Sequence, residues 1–291
     1  MTVLGVVLMV VAATLNATAS VLQRHASKDE PESAGFSLSL LTDLVRRPAW
    51  LLGIATMVTG FALHGVAIAL SRISLVQPLL VVELPCTLLL SSWHFGVRIP
   101  RRDWTAIGMQ TVGLAAFVAC LHPVGGDPGG LPAGEWAVAV ACTAAVIAVL
   151  VVLAYRGRRE HRAALLGVAT GATFGLNSSI IAGVGASIAH SGGLFTTWQT
   201  YGVVVLGPLS FYLLQNALQA GNLVASQPGF TLTNPLVSVL WGWLVFGEVP
   251  QGGRYLVGTA VGALLVVGGT AALARSPLLD PSTSQHQPAE G

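Results

Sequence analysis

Side chains able to do chemistry are scarce in this sequence, and the most telling one sits where hydrocarbon is expected. Glu83 stands in the middle of SLVQPLLVVELPCTLLLSSW, the run from Ser74 to Trp93. A charged group at a bilayer centre costs about 2.5–3.5 kcal/mol on insertion scales, so a partner, a proton or a bound solute must offset it. His64 precedes Arg72 by eight residues and Glu83 follows it by eleven. At about 1.5 Å per residue, the two lie about 12 and 16 Å from the surface where their helices turn. Similar depth on consecutive antiparallel helices allows a hydrogen-bonded or proton-sharing pair, subject to the rotation of each helix. Two roles for Glu83 stay open at this level. It is either an ion- or proton-coupling group facing a cavity, or a protonated acid bonded to a carbonyl freed by Pro78 or Pro85. His64 alone reads equally as a packed neutral imidazole.

Around Glu83 the neutral polar residues repeat a pattern. Gln77-Pro78 and Pro85 on one span match Gln227-Pro228 and Asn234-Pro235 on another. Proline removes a donor and frees a carbonyl, which is tolerated at membrane depth where polar groups find partners or line a cavity. These two spans are therefore expected to bend and to line a pathway. Asn16, Asn177, Asn216 and Thr233 add donors and acceptors, although interhelical hydrogen bonding explains such residues as readily as ligand binding. Thr233 stands at the position matching Glu83, so a coupling charge exists in one half only. Glu248, at a helix end, reads as a solvated carboxylate and not as a substrate ligand. Gly167, Gly171 and Gly175, and likewise Gly258 and Gly262, are spaced by four for close helix contact.

These residues must be positioned by a membrane-embedded scaffold. The chain of 291 residues is 53% hydrophobic and only 9% charged, and apolar runs of transmembrane length recur along it. Nine spans are expected near 3–22, 50–71, 73–94, 103–121, 134–155, 163–188, 199–220, 222–246 and 254–274. Of the 14 basic residues, 12 then fall on one side and only Arg72 and Arg254 on the other. The positive-inside rule puts the N-terminus outside and the C-terminus in the cytoplasm of a cell membrane. The segment 34–47 reads as a short amphipathic helix on the interface or as a loop, and the tail 276–291 as disordered.

A shift of 150 residues superposes Gln77-Pro78 on Gln227-Pro228, Pro85 on Pro235, Trp93 on Trp243 and Pro100 on Pro250. A shift of 161 brings Asn16 onto Asn177. Spans 1–4 therefore resemble spans 6–9. Five spans separate the equivalents, an odd number, so the halves insert with opposite orientation, as in many secondary transporters. The expected fold is an all-α polytopic membrane protein of about nine helices, two inverted four-helix repeats joined by a linking helix. Its parts are 1–121, the linking region 122–162, the second repeat 163–275 and the tail 276–291.

The run ALQAGNLVASQPGFTLTNPLVSVLWGWLVFGE, with Gly258 and Gly268-Gly269 after it, resembles the second half of an EamA-type protein of the drug/metabolite transporter superfamily. Asn216-Ala217-Leu218 through Asn222 to Pro228, and Val76-x-Pro78-Leu79, resemble the NIPA-like branch, which is associated with magnesium transport. The resemblance implies a secondary transporter that moves a small solute, with export favoured, or alternatively Mg²⁺ with Glu83 as its metal ligand. Arg98 departs from the pattern, since it stands where the first half often carries the Gly-Glu end signature.

Other classes fit less well. No Gly-Lys-Ser/Thr loop exists for ATP, and no hydrolase, zinc-protease or paired-cysteine motif is present, so neither enzyme activity nor a cofactor is expected. A net charge of +2 gives no electrostatic case for nucleic acid. Cys86, Cys120 and Cys142 lie in apolar segments and read as packing residues. A non-transporting accessory membrane protein would need no polar interior, which counts against that class. The expected partners are the lipid bilayer and a small-molecule or cation substrate; a homodimer stays open.

Overall fold

A computed structural model describes residues 2–27, 48–96, 98–157, 159–190, 193–220, 223–273 and 276. Among them nine long helical segments follow one another. α1 is Thr2–Ser27 and α2 Pro48–Leu70. α3 begins as the helical turn Ile73–Val76, tightens to 3₁₀ geometry over Gln77–Val82 and continues as Glu83–Phe95. α4 is Arg101–Leu121, α5 Ala133–Arg156 and α6 Arg159–Ala189. α7 is Trp198–Gln219; α8 is Leu223–Leu240 and ends in a π-helical turn, Trp241–Val245; α9 is Arg254–Leu273. The segment 34–47 and the tail beyond residue 276 lie outside the described residues.

Seven of the helices are long and apolar enough to cross a membrane, and Gly229–Val245 is a shorter apolar segment. α7 is not among the seven; Gln199, Pro208, Gln215 and Asn216 dilute its apolar sequence. Many large apolar side chains point outward, such as Val138, Val149, Val204 and Leu264. Such a surface is stable against lipid and not against water. The chain is an all-α polytopic membrane protein.

The loops gather at two ends. At one, β1 (Val124–Gly125) pairs antiparallel with β2 (Glu248–Val249), tying the α4–α5 and α8–α9 connections together. This strand end also holds the α2–α3 turn, because Arg72 Nε donates to the Gly125 carbonyl at 2.8 Å. The opposite, basic end carries Arg98, Arg101, Arg102 and Arg156. There the Ser276 hydroxyl donates to the buried Asp103 carboxylate, tying the chain beyond α9 to the start of α4.

Helix pairing follows small residues. α1 lies along α2, α6 along both α7 and α8, and α4 along α9. A Cβ on Gly262 would come within 2.6 Å of the Phe117 amide, and one on Gly113 within 2.8 Å of the Val266 amide. α4 and α9 therefore touch backbone to backbone. Gly171 and Gly175 do the same for α6, where a Cβ would meet the Phe230 and Asn234 carbonyls at 2.7 and 2.8 Å.

Candidate functional site

The irregular part of α3 follows from its prolines. Pro78 lacks an N–H for the Ser74 carbonyl, and Pro85 lacks one for the Val81 carbonyl. The chain between them tightens into 3₁₀ geometry. The freed Val81 carbonyl is not left bare: Gln110 Nε2, from α4, donates to it inside the core. Gln110 is 1% exposed. It was not among the sequence candidates, because its partner lies on another helix and only a freed carbonyl four residues before Pro85 hints at the need.

Glu83 follows this bend. It lies ten residues from the start of α3 and twelve from Phe95, so about 15 Å of helix lies on one side of it and about 18 Å on the other. Asn16 from α1 hydrogen-bonds its carboxyl. The amide is placed by α2, since Asn16 Oδ1 rests over Gly60, where a Cβ would lie only 2.5 Å away. Thr87, one turn on, returns its hydroxyl to the Glu83 carbonyl at 2.7 Å.

Beside Glu83 is a cavity of about 330 Å³ walled by α1, α3 and α8. α1 contributes Ser20 and Val21; α3 contributes Leu80, Val81, Glu83, Leu84, Thr87 and Ser91; α8 contributes Phe230, Thr231, Asn234 and Pro235. Its volume is in the small-molecule range. Ser91 lies eight residues beyond Glu83 along α3, so the lining extends about 12 Å from the carboxyl toward the basic end. Two lining atoms, Ser91 Oγ and Asn234 Oδ1, are buried without a hydrogen-bond partner. Buried polar atoms normally find partners, and orphans in a cavity wall are where a bound molecule or water completes the set. Among the described residues, no Lys, Arg or His side chain lines this cavity.

Glu83 and Asn234 thus face one space with Pro85 and Pro235 at their sides, and Asn16 reaches it through Glu83. The remaining candidates lie elsewhere. His64 Nε2 sits 3.3 Å from Gln77 Nε2, so the imidazole is engaged about two 3₁₀ turns before Glu83 and not on it. Gln77 is fully buried, and its Oε1 has no partner. Pro78 is buried in the 3₁₀ segment. Asn177 is 3% exposed with an unpartnered Oδ1. Thr233 packs where Gly171 lets α6 approach α8. Asn216 accepts the Tyr155 hydroxyl at 3.3 Å and donates to the Tyr212 carbonyl at 2.8 Å, joining α5 to α7. The side chains of Gln227 and Pro228 lie outside the described residues. Thr231, a sequence-level donor and acceptor, enters the lining, as do Ser20, Thr87 and Ser91, which sequence reading passed over; small hydroxyls look like packing residues until a wall is drawn.

Aromatic rings gather at the strand end. Trp136 of α5 stacks against Trp198, Trp241 and Phe246, with ring centroids 5.4–5.5 Å apart. Glu248 departs from its sequence reading: it is 4% exposed, and its carboxylate accepts the Ile73 and Ser74 amides at 3.0 and 3.1 Å and the Ser74 hydroxyl. Burial raises its carboxyl above the ordinary value, while those donors and the charge of Arg72 pull it back.

No family model matches the chain. It is similar to an uncharacterized protein of Corynebacterium glutamicum, 27% identical over 276 residues, which cover 94% of this chain and 95% of that protein. No solved structure matches.

Proposed function

We propose that the protein is a secondary active transporter that moves a small solute by alternating access, with Glu83 as the coupling group. One observation carries the reading: a carboxyl group at mid-membrane depth lines a small-molecule-sized cavity between three helices. A carboxyl group kept at that depth is costly unless it serves a proton, an ion or a solute. The described lining presents the Glu83 carboxyl and several oxygen acceptors, which favours a neutral or cationic solute over an anion.

The finer architecture we propose is the inverted pair of four-helix repeats, α1–α4 and α6–α9, joined by α5. The coincidence of Gln77-Pro78 with Gln227-Pro228, Pro85 with Pro235 and Trp93 with Trp243 at one offset of 150 residues supports it. So does the contact pattern: α1–α2 is echoed by α6–α7 and α1–α3 by α6–α8, while α4–α9 and α3–α8 meet across the axis between halves. With the basic end in the cytoplasm of a cell membrane, the cavity lies on the cytoplasmic half and the strand end faces outside. The resemblance to drug/metabolite transporters, read from the sequence, agrees with this and favours export. Transport of Mg²⁺ has less support: among the described residues no three His, Cys, Asp or Glu side chains gather to hold a metal, and Mg²⁺ is usually bound through one or two carboxylates with retained water.

The test is thermal stability of purified protein against a panel of small amines, neutral metabolites and Mg²⁺, beside Glu83→Gln. A ligand at about 100 times its Kd stabilises the native state by about 2.7 kcal/mol. An organic solute that shifts wild type and not Glu83→Gln is expected. A Mg²⁺ shift lost in Glu83→Gln would favour the cation reading, and no shift with any of them would favour an accessory role.

A further inference from the structure

Glu248 does more than fill a helix end. The turn Ile73–Val76 opens α3, and its first amides have no acceptor within the helix. The Glu248 carboxylate, 175 residues further along, takes the Ile73 and Ser74 amides and the Ser74 hydroxyl. The seat is built to fit it. A Cβ on Gly242 would lie 2.6 Å from Glu248 Oε2, and one on Gly126 would lie 2.5 Å from its Cγ. Gly247, with φ +72°, turns the chain from the end of α8 into that seat, a conformation that side chains rarely adopt. The Phe246-Gly247-Glu248 sequence thus has a physical reason.

The lock is not repeated at the equivalent sequence position. The 150-residue offset places Arg98 at the position equivalent to Glu248, and Arg98 is exposed.

We infer that Glu248 is the latch of the strand-end gate: its carboxylate on the start of α3 holds that end shut, and opening the path there requires its release. This rests on the alternating-access reading above. With this lock in place, the resting protein is closed at the strand end and reached from the basic end. Separation of β1 from β2 and loss of the Arg72–Gly125 bond accompany release, since all three contacts join the same loops.

A thiol-accessibility experiment tests the latch without any solute. Cys86, Cys120 and Cys142 are replaced by alanine, and Ala182→Cys reports from α6, where Ala182 is 7% exposed and lines a cavity of about 250 Å³ next to Glu248. Labelling by a hydrophilic maleimide is timed in nanodiscs. Glu248→Ala is expected to raise the rate at least about tenfold, equivalent to about 1.4 kcal/mol of closure. Adding Val124→Cys and Val249→Cys, which face each other across the strand pair, and oxidising them before labelling should return the rate to that of the latched protein. An unchanged rate in monodisperse Glu248→Ala, or fast labelling despite the disulfide, would overturn the latch. If Glu248→Ala is not recovered folded, Ser74→Ala is read in the same way, with a several-fold rise expected and no change overturning the proposal. Failure of the solute panel with normal latch behaviour would instead count against the transport reading.

Discussion

Gly60→Ala is a perturbation far from any charge that should nevertheless reach Glu83. The added methyl would stand 2.5 Å from Asn16 Oδ1, 3.4 Å from Asn16 Cγ and 3.2 Å from the Ala12 carbonyl. The first two contacts are relieved by rotating the Asn16 amide, but rotation takes it off the Glu83 carboxyl. The third is with backbone and needs a shift of a few tenths of an ångström between α1 and α2. Interhelical hydrogen bonds in membranes average about 0.6 kcal/mol and reach about 1.7, and those to charged groups run to about 1.5–3. A loss of about 1–2 kcal/mol is expected, with reduced solute binding. The assay is a double-mutant cycle in thermal or denaturant stability with Asn16→Ala. Without the amide the methyl has room, so Gly60→Ala should cost little in the Asn16→Ala background. Additive effects within about 0.5 kcal/mol would refute the coupling of Gly60 to Glu83 through Asn16.

Other substitutions probe separate parts of the account. Gln110→Leu leaves the Val81 carbonyl bare at the bend of α3 and should cost about 1–2 kcal/mol, measured as a lowered unfolding temperature; an unchanged value would mean that the bend needs no donor. Gly262→Leu drives a side chain into the Phe117 backbone and should abolish recovery of monodisperse protein, whereas Val261→Leu, on the exposed face next to it, should not. Glu248 predicts a pH dependence of closure. Its carboxyl is raised in the closed arrangement, so the closed state holds that proton more tightly than a solvated carboxylate does. Closure is then strongest in acid and weakens as pH rises through the raised value. Labelling of Ala182→Cys, normalised to the Glu248→Ala variant to remove the thiol's own titration, should accelerate with pH, and a flat ratio would contradict this.

Much of the scaffold was legible in the sequence because hydrocarbon length fixes helix length. The start of α3, at its expected place, followed from an apolar run bounded by Arg72. The depth of Glu83 was legible for the same reason. What lay beside it was not. His64 and Glu83 share a depth, yet rotation about α2 and α3 turns the imidazole onto Gln77, and periodicity in a uniformly apolar helix carries little information on rotation. Glu248 was misjudged as solvated because a carboxylate after a helix looks the same in sequence whether it meets water or the bare amides of another helix. Gln110 and Gly60 act only through partners far away in the chain.

The central claim is that Glu83 couples solute movement to an ion or proton. The most direct measurement is the transient current on a solid-supported membrane loaded with proteoliposomes, recorded for the solutes that stabilise the purified protein, with wild type and Glu83→Gln side by side. The account predicts charge movement in wild type that depends on pH or sodium, and its loss in Glu83→Gln at unchanged protein density. Equal currents from both proteins would contradict it.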